Sequence, residues 1–289
     1  MSLRPNNQYM SRTKIDVLIP AIEKDLKVLP FVIDGVRKHV KHPIGDILIV
    51  SPNSVKIKQL CKQKNCKFIN ENFVLPITKK HINYRTNRWN RSGWLFQQFL
   101  KLSGDKLCSQ KFYLVIDADT VLTRPHVFRQ NEKTVFYCRG WSRPEYFKTY
   151  RKLLGRNKTS SRSFVTHYML FEKAKVAKLK KAIETRHKTT WFGAILRNID
   201  RSKQITFSEF ETYGNFLHAN FPGQLILKRA LNKAISKRGI KLSLANLEKA
   251  AGYARSVSLH ERRVYFKRVN VTKKTNVKTK AIVKKGIRR

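Results

Sequence analysis

The run Lys111-Phe112-Tyr113-Leu114-Val115-Ile116-Asp117-Ala118-Asp119-Thr120 reads as a buried strand that delivers two carboxylates to its carboxyl end. Aromatic, β-branched and aliphatic residues follow one another without a polar break, the pattern of a strand covered on both faces. Open α/β sheets bind ligands at the carboxyl ends of their strands. Asp117 and Asp119 are therefore expected at a rim where chemistry takes place. Alternation along an extended chain sends the two side chains to one side, with Ala118 opposite. Acids are scarce here, 18 against 62 lysines and arginines, so two at one strand end are not surface decoration. Converging carboxylates make a hard-oxygen site suited to Mg2+ or Mn2+.

Toward the N-terminus the pattern is β-α-β-α-β. Residues 15–19 form a strand stopped by Pro20, and 26–40 carry an apolar helical face of Leu29, Val32, Ile33 and Val36. Residues 47–50 are a second strand. Val55, Ile57, Leu60 and Cys61 mark a short helix, and 66–70 a third strand. Such alternation predicts an α/β fold, a mainly parallel sheet with right-handed crossovers. Neither G-x-G-x-x-G nor G-x-x-x-x-G-K-[ST] occurs, so a dinucleotide fingerprint and a P-loop are not supported.

Residues 81–94 make a basic, polar loop containing His81, Arg85, Arg88, Trp89, Arg91 and Trp94. Ser92 is placed to cap the helix that follows, 93–102. That helix is apolar on nearly every side and is expected to be buried. Gln97 and Gln98 inside it need hydrogen-bond partners, either neighbouring backbone or, for one of them, the rim near Asp117. Further on come a strand at 134–138, a helix at 145–154 stopped by Gly155, and a strand-like stretch at 163–171 that holds His167. A Lys-rich helix over 173–183 and another over 191–199 follow.

Acids cluster a second time in Ser208-Glu209-Phe210-Glu211. Ser208 and Glu211 fit a capping box, which offers Glu211 a structural role. Glu209 has no such role, and spacing by two puts the pair on roughly opposite helix faces. Beyond this, helices are expected over 224–237 and 242–251, and a strand over 263–269. Residues 267–289 hold ten lysines or arginines and no acid, a composition expected to be disordered in isolation.

A chain of 289 residues can bury one large α/β domain, with or without an appendage. The formal charge of +44 implies attraction to polyanions such as nucleic acid, anionic lipid or phosphorylated substrates, or else a basic host compartment. Cys61 and Cys66 form a lone C-x4-C, with no second pair at zinc-ribbon spacing; free thiols in a reducing cytosol are expected. Residues 1–14 are polar, and no apolar run approaches the ~20 residues of a spanning helix. A cytoplasmic protein, soluble or attached to a surface, is the expectation.

Three chemistries place paired carboxylates after an apolar strand. Asp117-Ala118-Asp119-Thr120-Val121 fits the D-x-D-x-[TV] of haloacid-dehalogenase-type phosphatases, but their later acidic metal pair is missing, since Asp200 is the only aspartate that follows. Glycosidase carboxyls flank a sugar across ~5–9.5 Å and usually come from different strands. The D-x-D of nucleotide-sugar glycosyltransferases fits best.

The sequence resembles the GT-A glycosyltransferases, and within them a bacterial group associated with surface polysaccharide synthesis. The resemblance is carried by Ser92-Gly93-Trp94-Leu95-Phe96-Gln97-Gln98-Phe99-Leu100-Lys101-Leu102, by Tyr113 to Thr120, by His167-Tyr168-Met169-Leu170-Phe171 and by Ser208 to Gly214, and it spans roughly residues 15–222. It implies a GT-A-like, Rossmann-like sheet flanked by helices, with a nucleotide diphosphate sugar lying across the first strands. Asp119 would ligate Mn2+ or Mg2+, with Asp117 acting through water or holding the ribose. Gln97 and Gln98 fall at the donor. Arg88 and Arg91 either add positive charge at the leaving group or belong to a solvated loop. An inverting transfer needs a base, for which Glu209 is the first candidate and Glu211 the second. His218 is the candidate third metal ligand, with His167 the other.

The organisation expected is a glycosyltransferase domain over 12–223, a helical appendage over 224–266 and a basic tail over 267–289. The acceptor would be a glycan or lipid-linked, with the tail holding the protein at the anionic inner face of a membrane. The competing reading is a basic nucleic-acid-binding protein without catalysis, with Tyr84, Trp89 and Trp94 set among arginines as in single-strand binders.

Overall fold

The computed structural model describes residues 11–236 and 241–259. The first three strands are β1 (Ile15–Pro20), β2 (Ile44–Ser51) and β3 (Lys67–Asn70), paired in parallel. The crossovers are α1 (Leu29–His39) and α2 (Val55–Gln63). Pro30 sits in the first turn of α1, where its missing N–H is harmless. The Ser54 hydroxyl accepts from the Ile57 N–H and caps α2. Next come α3 (Ser92–Leu102), the single turn α4 (Gly104–Leu107) and β4 (Phe112–Ile116), which pairs in parallel with β1 on the side away from β2.

The remaining elements are β5 (Thr120–Leu122), β6 (Arg129–Gln130), β7 (Lys133–Cys138), α5 (Pro144–Leu154), β8 (Tyr168–Glu172), α6 (Lys173–His187), α7 (Trp191–Asn198), α8 (Glu209–Asn220), β9 (Leu225–Arg229), β10 (Asn232–Ala234), α9 (Leu244–Ala251) and β11 (Ser256–Ser258). The main sheet has the order β3-β2-β1-β4-β8, parallel except for β8. Two small sheets, β10-β11-β5 and β6-β7-β9, complete the described residues. The expected α/β fold with a mainly parallel sheet is the fold observed.

Side chains of β4 alternate between two cores, which is why its sequence shows no polar break. Tyr113 and Val115 enter a core shared with α3, α6, α7 and α8, while Phe112, Leu114 and Ile116 enter one shared with α1, α2 and α9. At the opposite end of β1 from the cleft, Asp16 is fully buried. It accepts the N–H groups of Asp46, Ser109 and Gln110 at 2.7–2.9 Å, and the Ser109 hydroxyl. It thereby ties the start of β2 and the loop entering β4 to β1.

Several expectations are corrected. The helix expected over 224–237 is not formed by its described residues, 224–236: β9 adds in parallel to β7, and β10 adds to β11. The described residues after 223 therefore contribute strands to both small sheets, and α9 is the one α-helix among them. The stretch 163–171 becomes a strand only from Tyr168, because His167 takes a left-handed φ of +71°. Ser92 does not cap α3; its hydroxyl accepts from the Tyr84 N–H and ties down the preceding loop. Gly155 does stop α5, in the left-handed conformation expected of glycine. The expected strand over 263–269 and the basic tail over 267–289 lie outside the described residues.

Candidate active site

Strand order fixes where a ligand can lie. β1 is followed by β2 on one side, and the chain later lays β4 on the other. A crevice therefore opens between the carboxyl ends of β1 and β4, the topological switch point of the sheet. A cleft of about 1280 Å³ occupies it, lined by Pro20, Ala21 and Ile22 after β1 and by Asp117, Ala118 and Asp119 after β4. Nine lysines and arginines and six of the scarce acids line its walls among the described residues.

β4 ends at Ile116, and the chain turns, with the Thr120 N–H donating to the Asp117 carbonyl at 3.0 Å. Both carboxylates reach the cleft from this turn, so strand alternation does not set their directions. Their surroundings differ. Lys101 Nζ donates to Asp117 Oδ1 at 2.5 Å, and His167 Nδ1 lies 3.0 Å from Asp117 Oδ2. Asp119 is half-buried on the cleft wall, and its carbonyl accepts the Leu259 N–H at 2.9 Å.

Lys101 also donates to Glu209 Oε1 at 2.7 Å, joining the two places where acids cluster in the sequence. It is 4% exposed and Glu209 is 3% exposed. Burial disfavours the charge on Lys101, but Asp117 and Glu209 outweigh burial and raise its pKa. Burial also works against ionised Asp117; Lys101 first, then His167, overcome it and hold the carboxyl far below the usual range. Glu209 goes the other way. Burial and the charge of Asp117 raise its pKa, and Lys101 offsets only part of this. The left-handed His167 backbone is an uncommon conformation for an L residue, and its carbonyl accepts the Asp117 N–H at 2.9 Å. Strain of this kind concentrates at functional sites.

The other sequence candidates divide. Gln97 lines the cleft and donates to the Pro20 carbonyl at 3.2 Å; Gln98 accepts from the Glu209 N–H at 3.2 Å, and its Nε2 is buried without a partner. Arg91 lines the cleft, with its Nε donating to the Gln204 carbonyl at 3.2 Å and its guanidinium 4.3 Å from the Trp94 ring. Arg88 is exposed and outside the cleft lining. Glu211 is also outside it. It accepts from the Ser163 hydroxyl and from Asn215 Nδ2, and burial raises its pKa. It does not close a capping box, although Ser208 does cap α8 by accepting the Glu211 N–H. His218 follows Glu209 by about 13 Å along α8. It meets the Thr159 hydroxyl at 2.8 Å, so the fold does not bring it to the aspartates; His167 is the histidine that arrives there. Tyr84 and Trp89 are buried against each other, ring centroids 5.3 Å apart, and offer no stacking face to a nucleic-acid base.

A divalent cation shared with substrate phosphates needs only one or two protein carboxylates. Among the described residues no group of three or more His, Cys, Asp or Glu is arranged to hold a metal alone. Asp119 suits the shared arrangement. Asp117 already serves Lys101 and His167 and suits contact through water. The four cysteines are free thiols. Among the described residues no helix is long and apolar enough to cross a membrane.

The model of a family of unknown function, DUF6492, matches residues 12–270. The chain belongs to the DUF6492 family. No curated protein sequence matches it. Solved structures similar to this DUF6492 chain include mouse xyloside xylosyltransferase 1 in its apo form, at 8% identity and a TM-score of 0.45, covering 85% of this chain and 97% of that one. The galactosyltransferase LgtC, solved with donor and acceptor sugar analogues, is 9% identical at a TM-score of 0.46, covering 85% and 87%. The bifunctional glycosyltransferase WbbM is 12% identical at 0.46, covering 89% of this chain and 47% of that one.

The DUF6492 match encloses every cleft residue, including several that the sequence reading missed. Lys101 carried a signal: it is the one charged residue in a helix that is otherwise apolar or uncharged, Ser-Gly-Trp-Leu-Phe-Gln-Gln-Phe-Leu-Lys-Leu. A cation there must either snorkel to water or meet a buried acid. Arg139, Trp141 and Arg143 carried no comparable signal, because only the fold brings the loop after β7 to the cleft.

Proposed function

We propose that the protein is a metal-dependent glycosyltransferase, using Mn2+ or Mg2+ to move a sugar from a nucleotide diphosphate donor to a glycan or lipid-linked acceptor in surface polysaccharide synthesis. The observation that carries this reading is the placement of Asp117 and Asp119 at the switch point, in a cleft rich in lysine and arginine. Lys79, Lys80 and Arg85 line the same cleft and suit a diphosphate, whose charge grows as the sugar–phosphate bond breaks. Asp119 would hold the cation together with the donor phosphates, and Asp117 would contact it through water or hold the ribose. The cation, when bound, supplies Lewis-acid stabilisation of the leaving diphosphate.

The chain's own residues do the rest. Glu209 takes the proton of the acceptor hydroxyl, and the upward pull of burial on its pKa makes it a stronger base than a solvated glutamate. Lys101 fixes Glu209 and Asp117 relative to each other, and Gln98 holds the backbone at the start of α8. Arg91, clamped by Gln204 and Trp94, keeps a cation at the cleft wall. The basic tail keeps the protein at the inner, anionic membrane face, where a lipid-linked acceptor is presented.

The test is isothermal titration of UDP and GDP, with and without Mn2+, on the wild type and Asp119→Ala. Metal-dependent binding of one nucleotide, lost in the variant, is the expected outcome. Equal oligonucleotide binding by both proteins, with no nucleotide bound by either, would replace the transferase with a polyanion binder.

A further inference from the structure

The cleft has a second wall. On the β8 side of Asp117 and Asp119, the loop after β7 contributes Arg139, Trp141 and Arg143, and the first turn of α5 contributes Glu145 and Tyr146. Reciprocal backbone hydrogen bonds of 2.9 Å between Arg139 and Ser163 tie its base to the loop that carries His167. Trp141 is 56% exposed. Its indole lines the cleft and is open to a ligand that enters it. The Arg139 guanidinium lies 3.9 Å from the centroid of this ring and that of Arg143 5.9 Å.

Arg139 is half-buried, and its Nε is shielded from water with no hydrogen-bond partner. Burial, the largest influence on it, works against its charge. Glu211 behind it is turned to Ser163 and Asn215, and among the described residues no carboxylate reaches ion-pair distance of Arg139 or Arg143. A buried guanidinium N–H without an acceptor is costly, and an incoming anion removes that cost.

We propose that this wall is the acceptor subsite and that it takes an anionic glycan. One face of a pyranose ring packs on Trp141, and the carboxylate or phosphate of that glycan pairs with Arg139 and Arg143. Guanidinium groups only donate hydrogen bonds, and their planar fork matches carboxylate and phosphate oxygens. Glu145, on the same wall, only accepts when ionised and is suited to the hydroxyls of the same sugar. The proposal rests on the glycosyltransferase reading, with the nucleotide on the opposite wall near Pro20 to Ile22.

The test compares three probes by isothermal titration in the presence of UDP and Mn2+: a uronic-acid disaccharide, a disaccharide phosphate and a neutral disaccharide. UDP binding is measured separately on every variant. At least one anionic probe should bind about ten-fold or more tighter than the neutral one. Trp141→Ala and Arg143→Gln, both at exposed positions, should each weaken it by about ten-fold while UDP affinity stays unchanged. Arg139→Gln should do the same; if it fails to fold, the two exposed variants still decide. Whether the uronic acid or the phosphate binds identifies the source of the charge. Equal binding of neutral and anionic probes, no binding of any probe, or unchanged affinity in the variants overturns the subsite. A fall in UDP affinity in Trp141→Ala also overturns it, by assigning the wall to the nucleotide. Loss of UDP binding in the wild type itself would count against the glycosyltransferase reading instead.

Discussion

Replacing Lys101 by methionine keeps the volume of the side chain and deletes one buried charge. The deletion leaves Asp117 and Glu209 facing the vacated position, with Glu209 3% exposed. Removing one partner of a buried ion pair costs about 3–5 kcal/mol, because the remaining charge is uncompensated. For a chain of this size that is a fall in Tm of roughly 6–20 °C. The pH dependence separates charge from packing. Without Lys101, Glu209 loses the influence that holds its pKa down, so the folded form retains a proton that the unfolded form releases above about pH 4.5. Stability of the variant is then fully present below that value and lost as pH rises through the folded pKa. The deficit against wild type should grow from pH 5 to pH 8 in urea or thermal melts, and adding Glu209→Gln to Lys101→Met should recover part of it. A deficit below about 1 kcal/mol, or one equal at both pH values, would falsify the view that Lys101 holds two ionised carboxylates together.

Other outcomes follow from the same geometry. Asp16→Ala strips acceptors from three backbone N–H groups at the base of the sheet and should cost about 3 kcal/mol or more in urea unfolding, with the cleft residues themselves unchanged. His126 is fully buried between Arg124 and Tyr168, and burial pushes its pKa down to about 3 from 6.5. The unfolded chain therefore binds a proton in that window that the folded chain refuses; stability should fall as pH drops from 6.5 toward 3, and His126→Phe should flatten this acid limb. Gly35→Ala should destabilise by about 1–3 kcal/mol, since a Cβ there would sit 2.8 Å from the Leu122 carbonyl oxygen, where α1 crosses β5. Asp119→Ala should abolish Mn2+-dependent nucleotide binding with a Tm close to wild type, because the side chain is only half-buried.

The parallel sheet was legible because strands buried on both faces leave apolar runs: 47–50 and 112–116 are uninterrupted, and 15–19 is broken only by the buried Asp16. The segment 224–237 was not legible, because its apolar residues fit a helical period as well as a strand. Hydrogen bonding to β7 decides between them, and that partner lies far away in sequence. The stretch 163–171 misled for a local reason: composition cannot show that His167 takes a positive φ and delays the strand by several residues. Glu211 misled in the opposite direction. Its capping-box spacing was present, but full burial beside Ser163 and Asn215 offered better donors than the helix end.

The carboxylates of the candidate site were found by scarcity, and scarcity is also why their partner was missed. In a chain with 62 lysines and arginines, each cation looks like part of the background. Position within an element is the better guide: Lys101 lies in a helix whose other side chains are apolar or uncharged, so its ammonium had either to snorkel to water or to meet an acid. Applied to the whole chain, the same argument separates two kinds of positive charge. Solvated lysines and arginines set the long-range field that gathers polyanions near the protein. Those held in place at the cleft, Lys101 by two carboxylates and Arg91 and Arg139 against tryptophan rings, set where an anion can stop. Net charge therefore explains attraction without explaining selectivity, and the fixed cations of the cleft are where selectivity between nucleotide, sugar and acceptor has to be sought.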